Sequence, residues 1–296
     1  MNDRSELLKR RVLLVAAATA GALAGTAGAA RADDGRKDGD YITMERRNAV
    51  LLIGINRPQI GNRLEVATFL ALGRAYWQLD HDEALRVGVL FAHGSDFCPG
   101  LDPASWAEAV RSRQFAAPIP EFVNPIGTSG PNRLKPVVVA VHGKTQLVGH
   151  ELFLAADIRV AASDTRFAQA EVARGVYPGG GGTVRFAREA GWGNAMRYML
   201  TGDEWDAEEA RRMGLVQDIA EPGKELDRAI GIAGKIAANA PLGVQAVPAS
   251  SRQALAAEDA ALAATFPIFA RIMQTDDRVE YARALKEGRA PVYRGR

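Results

Sequence analysis

An α/β fold is predicted for this chain, on three observations. From residue 41 onward, short apolar runs of β character alternate with segments of helical periodicity. Almost everything after Leu226 has helical character, which predicts a separate helical layer. Hydrophobic residues make up 47% and aromatics 7%, the composition of an ordinary globular domain; a disordered or collagen-like chain is excluded.

Taken in order, the first 32 residues stand apart. Lys9-Arg10-Arg11 precede VLLVAAATAGALAGTAGA, and Ala30-Arg31-Ala32 precede Asp33-Asp34. A basic region, a weakly apolar region and a small-x-small site form the pattern of a cleaved leader, and the paired arginines resemble a twin-arginine export signal. Export, to a periplasm for instance, is therefore expected, with a cytoplasmic location if the leader is not used. The whole chain of 296 residues has a formal net charge of +2, but residues 1–32 alone carry +3. The remaining 264 residues stand at −1, so charge gives no reason to expect a nucleic-acid or membrane partner. No apolar stretch of membrane-spanning length follows residue 32. One cysteine, Cys98, excludes an internal disulfide.

Residues 33–40 read as a charged linker, 41–225 as the core and 226–296 as the helical C-terminal region. Ile42–Arg46 and Ala49–Ile55 predict a hairpin turning at Arg47-Asn48. Asn62, with Glu65 three residues on, predicts an N-cap and its reciprocal cap. The following helix places Phe69, Leu72, Tyr76 and Leu79 on one face. Val87–Phe91, Val137–Val141 and Asp157–Ala161 read as strands. Four prolines between Trp106 and Pro136 predict a long, mobile loop. Asp206-Ala-Glu-Glu209 opens a helix with a capping pattern, and Leu215–Ile219 reads as a late strand. No internal repeat is evident.

Four segments carry chemistry-bearing residues. Phe97-Cys98-Pro99-Gly100-Leu101-Asp102 follows a strand; its glycine suits close approach to a ligand, or the segment is a strand-to-helix turn capped by Asp102. Gly149-His150-Glu151 enters a helix, where a first-turn glutamate can simply complement the dipole. Glu171 stands among small and apolar residues, a setting that raises a carboxyl pKa if it is buried. Gly179 to Gly182 precede the helix Val184–Glu189, without the lysine of a P-loop or the spacing of a dinucleotide fingerprint, so a hinge or close backbone packing is the better reading.

The order and spacing of these segments, with Asn56-Arg57-Pro58, Lys135-Pro136-Val-Val-Val-Ala-Val-His-Gly143, Ala156-Asp157, Leu200-Thr201-Gly202 and Leu285-Lys286-Glu287-Gly288-Arg289, resemble the crotonase, or enoyl-CoA hydratase/isomerase, family from about Tyr41 to the C-terminus. The resemblance implies a superhelix of ββα turns with a helical C-terminal oligomerisation region that builds homotrimers or hexamers. It implies an acyl thioester substrate, coenzyme A entering as part of that substrate, with no other cofactor and no metal. Two backbone N–H groups, of Leu101 and Val148 by position, would hold the thioester oxygen; in analogous oxyanion holes each donor is worth roughly 3–4 kcal/mol. Glu151 and Glu171 match the two glutamates that activate water. Asn62, Arg63, Gly100, Asp102, Gly149, Pro178, Gly179 and Lys286 are implied at the substrate and coenzyme site, Lys286 either meeting a coenzyme phosphate from a neighbouring subunit or standing as a solvated surface lysine.

Adding water across a conjugated C=C needs one group to take a proton and one to give a proton, and two carboxyls in different protonation states do both. The chain departs from the family pattern in Leu147-Val148-Gly149-His150, where hydratases show three glycines, and in His142 for the usual asparagine. It also lacks the lysine often found after Asp102. Alternatives are another crotonase-type isomerase or a coenzyme-independent hydrolase of β-diketones, the latter compatible with export. A non-catalytic acyl-binding or scaffold protein is the alternative from another class, and both glutamates weigh against it.

Overall fold

The computed structural model describes residues 38–254 and 274–296, apart from positions 113, 116, 175 and 177. The leader read over 1–32, the start of the 33–40 linker, Gly175 and part of the C-terminal region lie outside the described residues. A short helix α1 (Asp38–Tyr41) leads into the antiparallel hairpin of β1 (Ile42–Arg47) and β2 (Val50–Ile55). The turn falls one residue later than the sequence suggested. Asn48 adopts φ 54°, a left-handed value that asparagine tolerates better than most residues.

Successive turns then repeat a pattern. After α2 (Val66–His81) comes β3 (Val87–Ala92), then an irregular stretch through Cys98, then α3 (Pro103–Arg111). Next come β4 (Val137–Val141), β5 (Lys144–Gln146) and α4 (Val148–Leu154), followed by β6 (Ile158–Ala162), β7 (Arg166–Ala168) and α5 (Gly182–Ala190). The turns that begin with β4 and β6 are each a long strand, a short strand and a helix, and in the β3 turn an isolated bridge at Cys98 stands where the short strand would be. The chain continues through α6 (Trp192–Thr201), β8 (Glu204–Asp206), α7 (Ala207–Arg212) and β9 (Asp218–Ala220), and then α8 (Glu225–Ala237), α9 (Pro241–Ala254) and α10 (Asp276–Glu287).

The long strands form one sheet in the order β1-β2-β3-β4-β6-β9, parallel from β2 onward, and the short ones a second sheet in the order β5-β7-β8. Period-two alternation gives the large sheet two apolar faces. Ile53, Leu90, Val139 and Ala161 join α2 and the second sheet in the main core. Val50, Leu52, Val87, Val89, Val138 and Val160 face Ala229 and Ala233 of α8. The expected helical layer therefore begins as the cover of the sheet's other face. Phe69, Leu72, Tyr76 and Leu79 of α2 are buried as their spacing requires.

Three expectations need correction. Asn62 does not cap α2: Glu65 is the N-cap, without a side-chain cap bond, and its carboxylate pairs with Arg57 at 2.6 Å. Asn62 sits at φ 56° and is fully buried. Its amide accepts from the Arg57 N–H at 2.8 Å and donates to the carbonyls of His93 and Asp96 at 2.6 Å each, clasping two loops. Trp106 lies on α3 rather than in a loop, and the irregular segment after it buries Val123 and Ile126. The late strand is Asp218–Ala220; Leu215 and Val216 are buried ahead of it. The Asp206 pattern holds, its carboxylate accepting from the Glu209 N–H at 2.8 Å.

Candidate active site

Backbone proximity assembles the site. Cys98 pairs with Thr145 in a parallel bridge, its N–H donating to the Lys144 carbonyl and its carbonyl accepting from Gln146 N–H, both at 2.9 Å. This lays the segment 98–101 beside the entrance to α4. A Cβ on Gly149 would stand 2.1 Å from the Cys98 carbonyl oxygen, so only glycine permits that approach. Gly100 adopts φ 135°, and a Cβ there would strike Leu147 Cδ1 at 2.9 Å. Cys98 itself is buried and its thiol pushed up to about 12 by desolvation, so it is inert at neutral pH.

Two backbone N–H groups are left unspent at this junction. Leu101 bridges Leu64, but the bonds of that bridge run from Leu64 N–H to Gly100 O and from Asp102 N–H to Leu64 O. Strand alternation turns the Leu101 N–H the other way, and it donates to no acceptor among the described residues. Val148 is the first residue of α4, where an N–H has no intrahelical acceptor, and it too donates to none among the described residues. The left-handed φ that three glycines would ease falls on Leu147, at φ 54° and ψ −124°, and not on Val148. A leucine held there stores strain of roughly 1–3 kcal/mol at the turn.

Glu151, in the first turn of α4, is 3% exposed. Its Oε1 accepts from the Gly182 N–H at 2.9 Å. A Cβ on Gly180 would lie 2.4 Å from Glu151 Oε2, and one on Gly182 3.1 Å from Oε1. The glycine run thus lets main chain close over a carboxylate; it is close packing, as read from the sequence. Desolvation, and then the charge of Glu171, push the Glu151 carboxyl from an ordinary 4.5 to about 8. Glu171, 7% exposed, is also raised, chiefly by burial. Its Oε1 accepts from Gln169 Nε2 at 2.8 Å, and its Oε2 is buried without a partner. The Glu151 carboxyl therefore keeps its proton near neutral pH, and burial raises the proton affinity of Glu171 near it.

Sequence reasoning missed Gln169. Its signal was period-two spacing: Phe167, Gln169 and Glu171 share one face of an extended chain. Arg185 was missed as well. Its guanidinium donates to the carbonyls of Gly180 and Gly127, both at 3.1 Å, tying the glycine run to the proline-rich segment and placing positive charge near Glu151. His150 packs among Phe153, Phe167, Phe186 and Trp205 rather than against Glu151.

The other expected residues fall in three groups. Gly100, Gly149, buried Pro178 and half-buried Gly179 belong to the turns that build the site. Asp102, half-buried, caps α3 with one carboxylate oxygen, accepting from the Ser105 N–H at 2.9 Å, and the fully buried Asn62 spends its amide inside the fold. Arg63 is exposed beside the first turn, and Lys286 is exposed in the last turn of α10, with no hydrogen bond or ion pair among the described residues. No group of three metal-binding side chains occurs among the described residues.

The Enoyl-CoA hydratase/isomerase family profile matches residues 45–296. Enoyl-CoA hydratase EchA19 of Mycobacterium tuberculosis is 31% identical, the alignment covering 88% of this chain and 98% of that protein. The 2,3-dehydroadipyl-CoA hydratase of Escherichia coli is 31% identical over 86% of this chain and 99% of its own. A solved structure from Mycobacterium abscessus, described as a probable enoyl-CoA hydratase/isomerase, superposes with a TM-score of 0.83 at 41% identity, covering 86% of this chain and 99% of that one. With a profile spanning almost all of the described residues and relatives matched end to end, the chain belongs to the enoyl-CoA hydratase/isomerase family, the crotonase superfamily.

Proposed function

We propose that this enzyme is a lyase that adds water across the 2,3 double bond of an acyl-CoA, with Glu151 and Glu171 as its acid–base pair. One observation carries the reading: two buried carboxyls of raised proton affinity, Glu151 on α4 and Glu171 after the adjoining β7, accompany the unspent N–H groups of Leu101 and Val148. Those two donors receive the thioester oxygen and stabilise the enolate that forms as water attacks. The ionised carboxyl takes a proton from water as its oxygen bonds to C3. The protonated one delivers a proton to C2 as the enolate collapses, so the C2–C3 π bond is replaced by one C–O and one C–H bond. Coenzyme A enters with the substrate and no other cofactor is required. The names of the relatives, acyl-CoA hydratases, support this substrate class.

The test is incubation of purified protein with 2-butenoyl-CoA. Loss of the conjugated-thioester absorbance with formation of the 3-hydroxyacyl product is expected. An unchanged substrate, with hydrolysis of a cyclic β-diketone instead, would replace this reading with the coenzyme-independent one, which the leader-like N-terminus favours.

Assembly as a homotrimer or hexamer is part of the proposal. Trp192, Leu200 and Val184, on α5 and α6, are 73%, 67% and 64% exposed, large apolar side chains that a second copy would cover. Lys286 would then reach a coenzyme phosphate from a neighbouring subunit. Light scattering that returns a monomer at micromolar concentration contradicts this. Export is proposed on Arg10-Arg11 and Ala30-Arg31-Ala32. Intact residues 1–32 on protein recovered from cytoplasm, read by mass spectrometry, would overturn it.

A further inference from the structure

The acid–base pair rests on a buried polar chain that the reaction itself does not use. Gln169 is fully buried, and its Nε2 faces two acceptors: the Glu171 carboxylate at 2.8 Å and the Leu147 carbonyl at 3.4 Å. Both are acceptors only, so the amide nitrogen must lie on that side and the amide oxygen on the other. The oxygen meets His150 Nδ1 in a short hydrogen bond, which fixes the His150 tautomer with its proton on Nδ1. His150 is fully buried inside four aromatic rings, and its Nε2 has no partner. A phenylalanine would fill that cage as well; the imidazole adds one directed N–H.

The far end of the chain reaches the other half of the site. Leu147 O and Val148 N–H belong to one peptide group and point in opposite directions across its trans plane. Whatever holds the Leu147 carbonyl also aims the Val148 N–H; the Glu151 N–H holds it at 3.0 Å as the first bond of α4, and Gln169 Nε2 adds a second donor from the side at 3.4 Å. We propose that His150 and Gln169 are positioning residues, which lock the Glu171 carboxylate and the Leu147–Val148 peptide into one rigid unit.

This proposal rests on the hydratase reading for its kinetic arm only. The charged groups around Glu171 and His150 are Glu151 on α4, Arg174 on the short 3-10 turn Val172–Arg174, Arg159 on β6 and, acting on Glu151, Arg185 on α5. None of them is changed by substitution at 150. Burial holds the His150 imidazole down to about 4, so it stays neutral through the assay range. In His150→Phe the Gln169 amide loses its anchor, and donation to Glu171 weakens. Hydration should lose about tenfold or more in kcat with KM within about twofold. In His150→Asn a side-chain amide stands where Nδ1–H stood, and most of kcat should return.

The second arm needs no turnover. Carboxyl-13C glutamate NMR on the full protein, with the Glu171 resonance assigned by its loss in Glu171→Gln, should show the Glu171 midpoint rising by about one pH unit in His150→Phe. Wild-type kcat in a folded His150→Phe variant, equal impairment of the Phe and Asn variants, or an unmoved Glu171 midpoint would each overturn the proposal. If His150→Phe fails to fold, Gln169→Leu is read by the same midpoint. A wild-type protein inactive on every enoyl thioester sinks the hydratase reading and leaves the NMR arm to decide this one.

Discussion

Gly180→Ala isolates the role of Glu151 without touching a carboxyl. Gly180 does not use the left-handed region, so alanine is compatible with its backbone. The added Cβ would lie 2.4 Å from Glu151 Oε2 and 2.8 Å from its Cδ. Restoring ordinary contact at 3.4 Å requires the carboxylate to withdraw by 1.0 Å. It has little room, since Oε1 is held by the Gly182 N–H and the side chain is buried. A misplacement of about 1 Å costs on the order of 100-fold in rate, or about 2.7 kcal/mol of barrier. The loss should fall on kcat, because in the proposed mechanism the thioester oxygen is held by other groups, the Leu101 and Val148 N–H donors. The assay is steady-state hydration of 2-butenoyl-CoA, beside thermal unfolding followed by circular dichroism. Gly193→Ala, on α6 with no heavy atom within 4 Å of the new Cβ, is the control and should leave both readings unchanged or slightly raise Tm. A Gly180→Ala enzyme with kcat within twofold of wild type and an unchanged Tm would refute the reasoning.

Stability should depend on pH through Glu151. Its folded pKa lies near 8 against an ordinary 4.5, so the folded state holds a proton that the unfolded chain releases between those values. Stability therefore falls as pH rises through that window, and a residue that cannot ionise escapes the loss. Glu151→Gln should melt about 3–6 °C above wild type at pH 9 and close to it at pH 4, as scanning calorimetry across pH would show. Asn62→Gly keeps the left-handed backbone and removes three buried hydrogen bonds. It should cost about 2–4 kcal/mol in chemical denaturation, with kcat per folded molecule unchanged, whereas a substrate-contacting Asn62 would raise KM instead.

Much of the fold was legible because burial left plain patterns. Val137–Val141 is buried from end to end on both faces of a parallel strand, and it reads as a continuous apolar run. The α2 face reads from its spacing for the same reason. The repeated turn was expected from the family resemblance alone and left no periodicity of its own, because it is a repeat of topology: β5, β7 and β8 are three residues each. Asn62 misled because an asparagine before a helix is the commonest local signal of a cap, and only long-range carbonyls of His93 and Asp96 reveal its use. The two glutamates were singled out by their spacing in a family pattern. Their burial, the closing of Gly180 and Gly182 over Glu151, and the His150–Gln169 link depend on segments up to 31 residues apart in sequence.

The central claim is that two carboxyls, one protonated and one ionised, perform the proton transfers of hydration. It is tested most directly by kcat for Glu151→Gln, Glu171→Gln and the double variant, each confirmed folded, on 2-butenoyl-CoA. Each single variant should lose at least about 100-fold, and the double variant little more than the worse single one, because the two act as a unit. Turnover close to wild type in both single variants would contradict the account.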